Sequence, residues 1–261
     1  NDNSSRFGKF IELGFSDSGE LLGANIQTYL LEKVRLGLHA FGERNYHIFY
    51  QILSDEALSK ELKLEDPDAI QYLCKRYVKS KRDEKAFEET KQCLDNIGLN
   101  EEDQKVIFQI AAGVLHLGNV NFTASGENDV ASISSDESKQ SLSIACQLLG
   151  WDEKDVSEAI LTKVLTVGKR TITKEQNISQ AIEKRDVLAK MVYSSLFLWL
   201  VSRINETIHH AHLPVDLMSP SSTHDSFDFE NIEEMKSIGV LDIYGFEQFD
   251  VNGFEQLLIN Y

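Results

Sequence analysis

Apolar and polar positions near the start of the chain alternate in two arms. "KFIELGF" and "ELLGANIQTYLL" flank the turn-forming tetrad Ser16-Asp17-Ser18-Gly19, which predicts a β-hairpin over residues 7–31. Beyond it the apolar period lengthens to that of helices. Tyr46, Phe49, Ile52 and Leu53 share one helical face, as do Phe87, Leu94 and Ile97, a run that ends at Gly98. Asn100 stands as N-cap to a helix that carries Val106, Ile107, Ile110, Val114 and Leu115 and stops at Gly118. Shorter helices are predicted over residues 142–149 and 156–161. "LTKVLTVGKRTITK", residues 161–174, is β-branched around Gly168-Lys169 and predicts a small hairpin or projecting loop. A long helix follows over residues 179–210, with Ile182, Ala189, Val192, Leu196, Ile204 and Ile208 on its apolar side. Residues 123–135 and the acidic, Ser-rich stretch 213–234 read as mobile. "SIGVLDIY", residues 237–244, is a strand, and "FEQLLINY" opens one more helix. Regular structure reaching both ends is the expectation for a segment of a larger domain.

Composition narrows the class. A chain of 261 residues with 42% hydrophobic residues has enough material for a sizeable core. Its net charge of −16 argues against general nucleic-acid binding, which needs a basic footprint. Cys74, Cys93 and Cys146 are scattered without a CxxC pair, which suggests neither a zinc site nor a disulfide framework and fits a reducing cytosol. The most apolar run, "MVYSSLFLWLV", lies between Lys190 and Arg203 and is too short to span a bilayer. It reads as the buried part of a helix, with Trp199 in core packing.

Two loops carry candidate chemistry. "NDNSSRF" gathers an amide, two hydroxyls and an Arg; these residues either cap and turn the backbone or hold Mg²⁺, a phosphate and a salt-bridge partner. "VLDIYGFEQF" delivers Asp242 at the end of an apolar strand, where a Walker B carboxylate sits beside Mg²⁺. Gly245 has no Cβ, so its amide can approach a phosphate closely, and Glu247 follows on the same turn. Each loop alone is equally well an ordinary turn.

Taken together, in this order, the two loops resemble switch I and switch II of the myosin motor domain. "ERNYHIFYQ", "AAGVLHLGN", "DVLAK" and the relay-helix start "FEQLLINY" occur in the same order as in that family. The resemblance covers essentially the whole chain. It implies a partial α/β P-loop NTPase-type motor fold, in which this segment is mostly α-helical with a few strands of the central mixed sheet. Residues 1–236 would hold switch I, the sheet hairpin and the upper 50-kDa subdomain, and residues 237–261 the switch II strand, its loop and the relay-helix start.

The family's roles fall on matching positions. Asn1 and Ser4 correspond to switch I residues facing the nucleotide's phosphates, and Ser5 to the hydroxyl that coordinates Mg²⁺. Asp242 corresponds to the switch II carboxylate of the metal shell and Gly245 to the amide that senses the γ-phosphate. Arg6 and Glu247 correspond to the pair whose closing shuts the site around the attacking water. The resemblance thus implies ATP and Mg²⁺ as cofactors, an actin-activated ATPase, and a cytoplasmic place on the actin cytoskeleton. Actin is the implied partner, with light chains or calmodulin bound through other regions, and neither nucleic acid nor a membrane span is implied. Nothing in the chain reads GxxxxGK[ST]: Phe10 follows Gly8-Lys9, and Arg170 follows Gly168-Lys169. The expectation is that the isolated chain is inactive. The alternative is a catalytically silent, myosin-derived actin-binding or scaffold protein.

The loop at residues 162–174 corresponds to a myosin surface loop that touches the filament. Sixteen residues before Asp186 stands Arg170, where the family places an acid or a phosphorylatable residue. Lys163, Lys169, Arg170 and Lys174 read either as a plain solvated basic loop or as an actin contact in which Thr171 takes the regulatory place. His209, His210 and His212 read as a solvated helix end rather than a metal site, and His116 as a satisfied, partly buried residue.

Overall fold

A computed structural model describes residues 6–38, 43–73, 78–125, 129–167, 170–210, 236–243, 245–246 and 253–261. The chain divides into two compact units, Asn1–Glu32 with Phe197–Tyr261, and Lys33–Leu196. The fold class is the expected one, mostly helical with a small sheet.

The first unit is built on the predicted hairpin. β1 (Gly8–Phe15) and β2 (Leu21–Tyr29) pair antiparallel, with Gly8 opposite Tyr29 and Leu13 opposite Ala24. The turn works as its residues foretold: the Ser16 hydroxyl accepts from the Glu20 amide at 3.0 Å, and Gly19 adopts φ +83°. β7 (Lys236–Asp242) pairs antiparallel with the other side of β1, so the strand order is β2-β1-β7. The strand stops at Asp242, two residues short of its predicted end. Gly239 leaves the space that the Phe10 ring fills, since a Cβ there would stand 2.6 Å from Phe10 Cε2. The far edge of β2 is closed by a side chain of α7 (Ile178–His210): Asn205 accepts from the Ile26 amide at 2.8 Å and donates to its carbonyl at 2.9 Å. Helix α8 (Phe254–Asn260) forms where the relay-like sequence begins.

The second unit centres on α4 (Glu101–Gly118), whose Ala111, Ala112, Val114, Leu115 and Leu117 are wholly buried. Asn100 caps it in a full capping box with Asp103. Residues Gln104, Ile107, Phe108 and Ala111 mark the buried side, and Val106 points outward at 52% exposure. Around α4 lie α1 (His47–Ser54), α3 (Lys81–Asn96) and α5 (Asp136–Leu149). Phe87 meets Phe108 edge-on at 5.1 Å, and Tyr46 stacks on Tyr193 of α7 at 4.2 Å. Gly98 (φ +77°) and Gly150 (φ +68°) end α3 and α5 in the left-handed region that favours glycine. Helices α2 (Glu56–Glu61) and α6 (Glu153–Leu161) are capped by Asp55 and Asp152. The first of these, a short and mostly polar helix, carries no apolar period to read.

Two expectations are corrected. Part of the polar stretch expected to be mobile forms a hairpin, β3 (Phe122–Ser125) with β4 (Val130–Ile133), and the Ala131 amide bonds to the Gln176 carbonyl at 2.8 Å. Its β-branched residues pair through backbone groups that do not depend on an apolar period. The apolar run 191–201 is helical but not a buried core: Met191 and Trp199 are 61% and 46% exposed. That run also belongs to a longer stretch, Ile178–Ile208, which by length and composition alone meets the requirement for crossing a membrane. The first half of this helix is tied to the second unit by polar bonds. Arg185 donates to Asp186 Oδ1 at 2.9 and 2.7 Å and to the Val120 carbonyl at 2.8 Å, and the Tyr72 hydroxyl donates to the same Oδ1 at 2.6 Å. Burial, and then Asp186, raise the Tyr72 pKa far above the ordinary phenol value, so Tyr72 remains a donor.

Candidate functional site

The two candidate loops leave the sheet at the same end. β1 begins just after the first loop and β7 ends where the second starts; their antiparallel register sets Lys9 opposite Asp242. The strand pairing therefore brings together Lys9 and Asp242, which stand more than two hundred residues apart in the sequence.

Arg6 stands two residues before the start of β1. Its carbonyl accepts from the Glu32 amide at 2.9 Å, and its Nη1 lies 3.5 Å from Glu32 Oε2. The neighbouring Phe7 ring meets Phe197 of α7 edge-on at 4.8 Å, which anchors the loop's exit. Asp242 extends from the end of β7 with its side chain 55% exposed, and Lys9 Nζ lies 3.2 Å from its Oδ2. Around Gly245 the space is open: a Cβ built there meets no atom within 4 Å. Asn1, Ser4, Ser5 and Glu247 lie outside the described residues.

The register gave no warning of Glu32, an acid beyond the second arm of the hairpin. Lys9 was within reach of the sequence once β1 and β7 were known to be neighbours. Among the described residues no group of three His, Cys, Asp or Glu side chains is placed to hold a metal ion. What Asp242 offers is one hard oxygen donor at an open strand end, which fits a share in a Mg²⁺ shell but not a complete one.

In the second unit, β5 (Thr162–Val167) and β6 (Arg170–Glu175) form the predicted hairpin. Lys163 stands opposite Lys174, Leu165 opposite Ile172, and Thr166 opposite Thr171. Alternation along each strand puts Lys163, Leu165, Ile172 and Lys174 on one face and Val164, Thr166, Thr171 and Thr173 on the other. Thr171 is thus separated from both lysines by the sheet; Lys169 lies outside the described residues. Lys184 pins the base of the hairpin, donating to the carbonyls of Ala159 (2.9 Å) and Thr162.

His116 is satisfied as expected, its Nε2 2.9 Å from the Leu62 carbonyl, and burial lowers its pKa. The Cys146 thiol is pushed up to about 11 by burial, which removes it as a nucleophile. His212 and residues 213–234 lie outside the described residues, and only the backbone of His209 and His210, at the end of α7, is described.

Comparison with known proteins covers the whole chain. The family model for the myosin head (motor domain) matches residues 1–261. The chain belongs to the myosin motor family. It is 39% identical to unconventional myosin-Vb of Mus musculus over 266 residues, covering 100% of this chain and 13% of that protein. Unconventional myosin-Va of Homo sapiens matches equally, at 39% over 266 residues with 100% and 13% covered. Myosin-13 of Arabidopsis thaliana is 39% identical over 264 residues, with 100% of this chain and 16% of that protein covered. The chain thus spans about one seventh of the length of these myosins.

Proposed function

We propose that this chain supplies the switch elements and upper 50-kDa region of an actin-based motor that couples Mg-ATP hydrolysis to movement along filaments. The observation that carries this reading is the register of β1 with β7, which sets the Arg6 loop and the Asp242 loop at one end of the sheet. Hydrolysis of a phosphoanhydride needs in-line positioning and charge neutralisation more than covalent help. Two loops hinged at one sheet end can provide both when they close. Asn1, Ser4 and the Gly245 amide would face the phosphates, while Ser5 and Asp242 would share the metal shell. Mg²⁺, when bound, neutralises phosphate charge. Arg6 and Glu247 would join only in the closed state, which ties the chemistry to conformation.

The hairpin of β5 and β6 would meet the actin filament through its Lys163 and Lys174 face, with Lys169 and Arg170 as further cations of the same sequence stretch. Light chains or calmodulin would bind through regions outside this chain, and the motor would work in the cytoplasm on actin. Because no GxxxxGK[ST] cradle occurs in these residues, the chain alone is expected neither to bind nucleotide measurably nor to hydrolyse it. Steady-state ATPase of the parent motor, with and without actin, tests the reading. Asp242→Ala is expected to abolish both rates. Undiminished turnover in that variant would overturn the assignment.

A further inference from the structure

Lys9 and Asp242 are directly opposed residues of neighbouring antiparallel strands, and their charged atoms lie 3.2 Å apart. With 36% and 55% of these side chains exposed, the pair is worth little as a brace between the strands. Its weight lies in where it stands. The same carboxylate would take part in the Mg²⁺ shell, and the lysine engages Oδ2 from the β1 side. Among the described residues no other ion pair is formed by Asp242. A divalent cation drawn to this carboxylate must therefore share it with, or displace, a fixed positive charge. Two like charges held within a few ångströms repel, less so where water screens them.

We infer that Lys9 is a built-in counter-ion that sets the divalent-cation affinity of the switch II carboxylate. It neutralises Asp242 when no metal is bound and opposes the metal when it arrives. The inference rests on the reading of Asp242 as part of the metal shell. It adds a positioning residue on β1 that the two switch motifs do not contain.

The test uses the intact, nucleotide-loaded motor, with Mn²⁺ in place of Mg²⁺ and binding read directly by electron paramagnetic resonance. Lys9→Met keeps the length of the side chain and removes its charge; it is expected to tighten Mn²⁺ binding about tenfold, the scale of one screened charge. Lys9→Arg should stay within about twofold of the parent, because the charge is kept. Unchanged or weaker binding in Lys9→Met, with an unaltered thermal transition, would overturn the inference. If Lys9→Met does not fold, Lys9→Gln carries the same expectation. Asp242→Asn separates the two layers of the argument. Weakened Mn²⁺ binding there upholds the reading of Asp242 whatever Lys9 does, and unchanged binding overturns that reading together with the inference.

Discussion

Arg6 is held by Glu32 through two contacts, a backbone bond of 2.9 Å and a side-chain approach of 3.5 Å. Both side chains are largely buried, at 18% and 7% exposure, so the guanidinium already has a carboxylate beside it in this conformation. A bridge from Arg6 to Glu247 would have to form alongside that contact or at its expense. In the intact motor, Arg6→Glu or Glu247→Arg is expected to leave ATP binding in place and slow hydrolysis at least about a hundredfold, the scale of a lost positioned arrangement. The double swap should recover only part of the loss, because a Glu at position 6 would face Glu32. Single-turnover quench-flow measures each rate, and normal hydrolysis in either single variant would refute the pairing.

The second prediction concerns the edge of the sheet. Asn205 supplies to Ile26 the acceptor and donor that a further strand would otherwise supply. An Asn205→Ala change leaves both backbone groups of Ile26 without that partner, at a cost of about 1–3 kcal/mol. It also frees an edge for pairing with other chains. Urea unfolding should show a lower midpoint, and light scattering a greater tendency to associate. Asn205→Asp loses the donated bond and sets a carboxylate oxygen against the Ile26 carbonyl, so it should lower the midpoint at least as far as Asn205→Ala. An unchanged midpoint in Asn205→Ala would show that water replaces the amide at no cost.

The hairpins β1–β2 and β5–β6, the helix stop at Gly98 and the cap at Asn100 were legible because each rests on local chemistry: turn residues, a left-handed glycine, side chains that bond nearby amides. The pairing of β1 with β7 was not legible, since it joins strands more than two hundred residues apart in the chain. Val106 and Trp199 show the other limit. An apolar residue near a helical stripe reads as core, yet the phase set by Ile107 and Phe108 turns Val106 outward. Trp199 lies on a helix face of which nearly half its surface stays exposed. Glu32 left no sequence signal of its partner, and Lys9 none until β1 and β7 are known as neighbours, because a pairwise approach of charges is fixed only by register and loop path.

A third prediction follows from His116. Nε2 must carry the proton it donates to the Leu62 carbonyl, and burial holds the imidazole neutral by lowering its pKa. In the unfolded chain the same ring titrates near 6.5. Above that pH both states are neutral and stability is unaffected. As pH falls below it the unfolded state binds a proton that the folded state refuses, so stability drops until the folded pKa is passed. Urea midpoints measured at pH 7.5, 6.5 and 5.5 should fall for the parent chain. In His116→Gln, which keeps a donor, the baseline should be lower but the fall smaller. Parallel slopes in the two proteins would assign the acid sensitivity to other groups.

The last prediction concerns the hairpin of β5 and β6. Lys163 and Lys174 share one face, while Thr171 lies opposite Thr166 on the other. A phosphate on Thr171 would therefore act less by neutralising the two lysines than by adding close to two negative charges on the Thr face. That charge would change how the hairpin presents its basic side to a filament. In the intact motor, Thr171→Glu is expected to raise actin-activated ATPase and to leave the rate without actin alone. Lys163→Ala and Lys174→Ala, on the contact face itself, should raise the actin concentration needed for half-activation, an effect that shrinks as salt screens the charges. ATPase titrated with actin at two ionic strengths separates these contributions. Identical activation in Thr171→Glu and Thr171→Ala would remove the regulatory role and leave the lysines as a fixed contact; unchanged half-activation in both lysine variants would remove the contact as well.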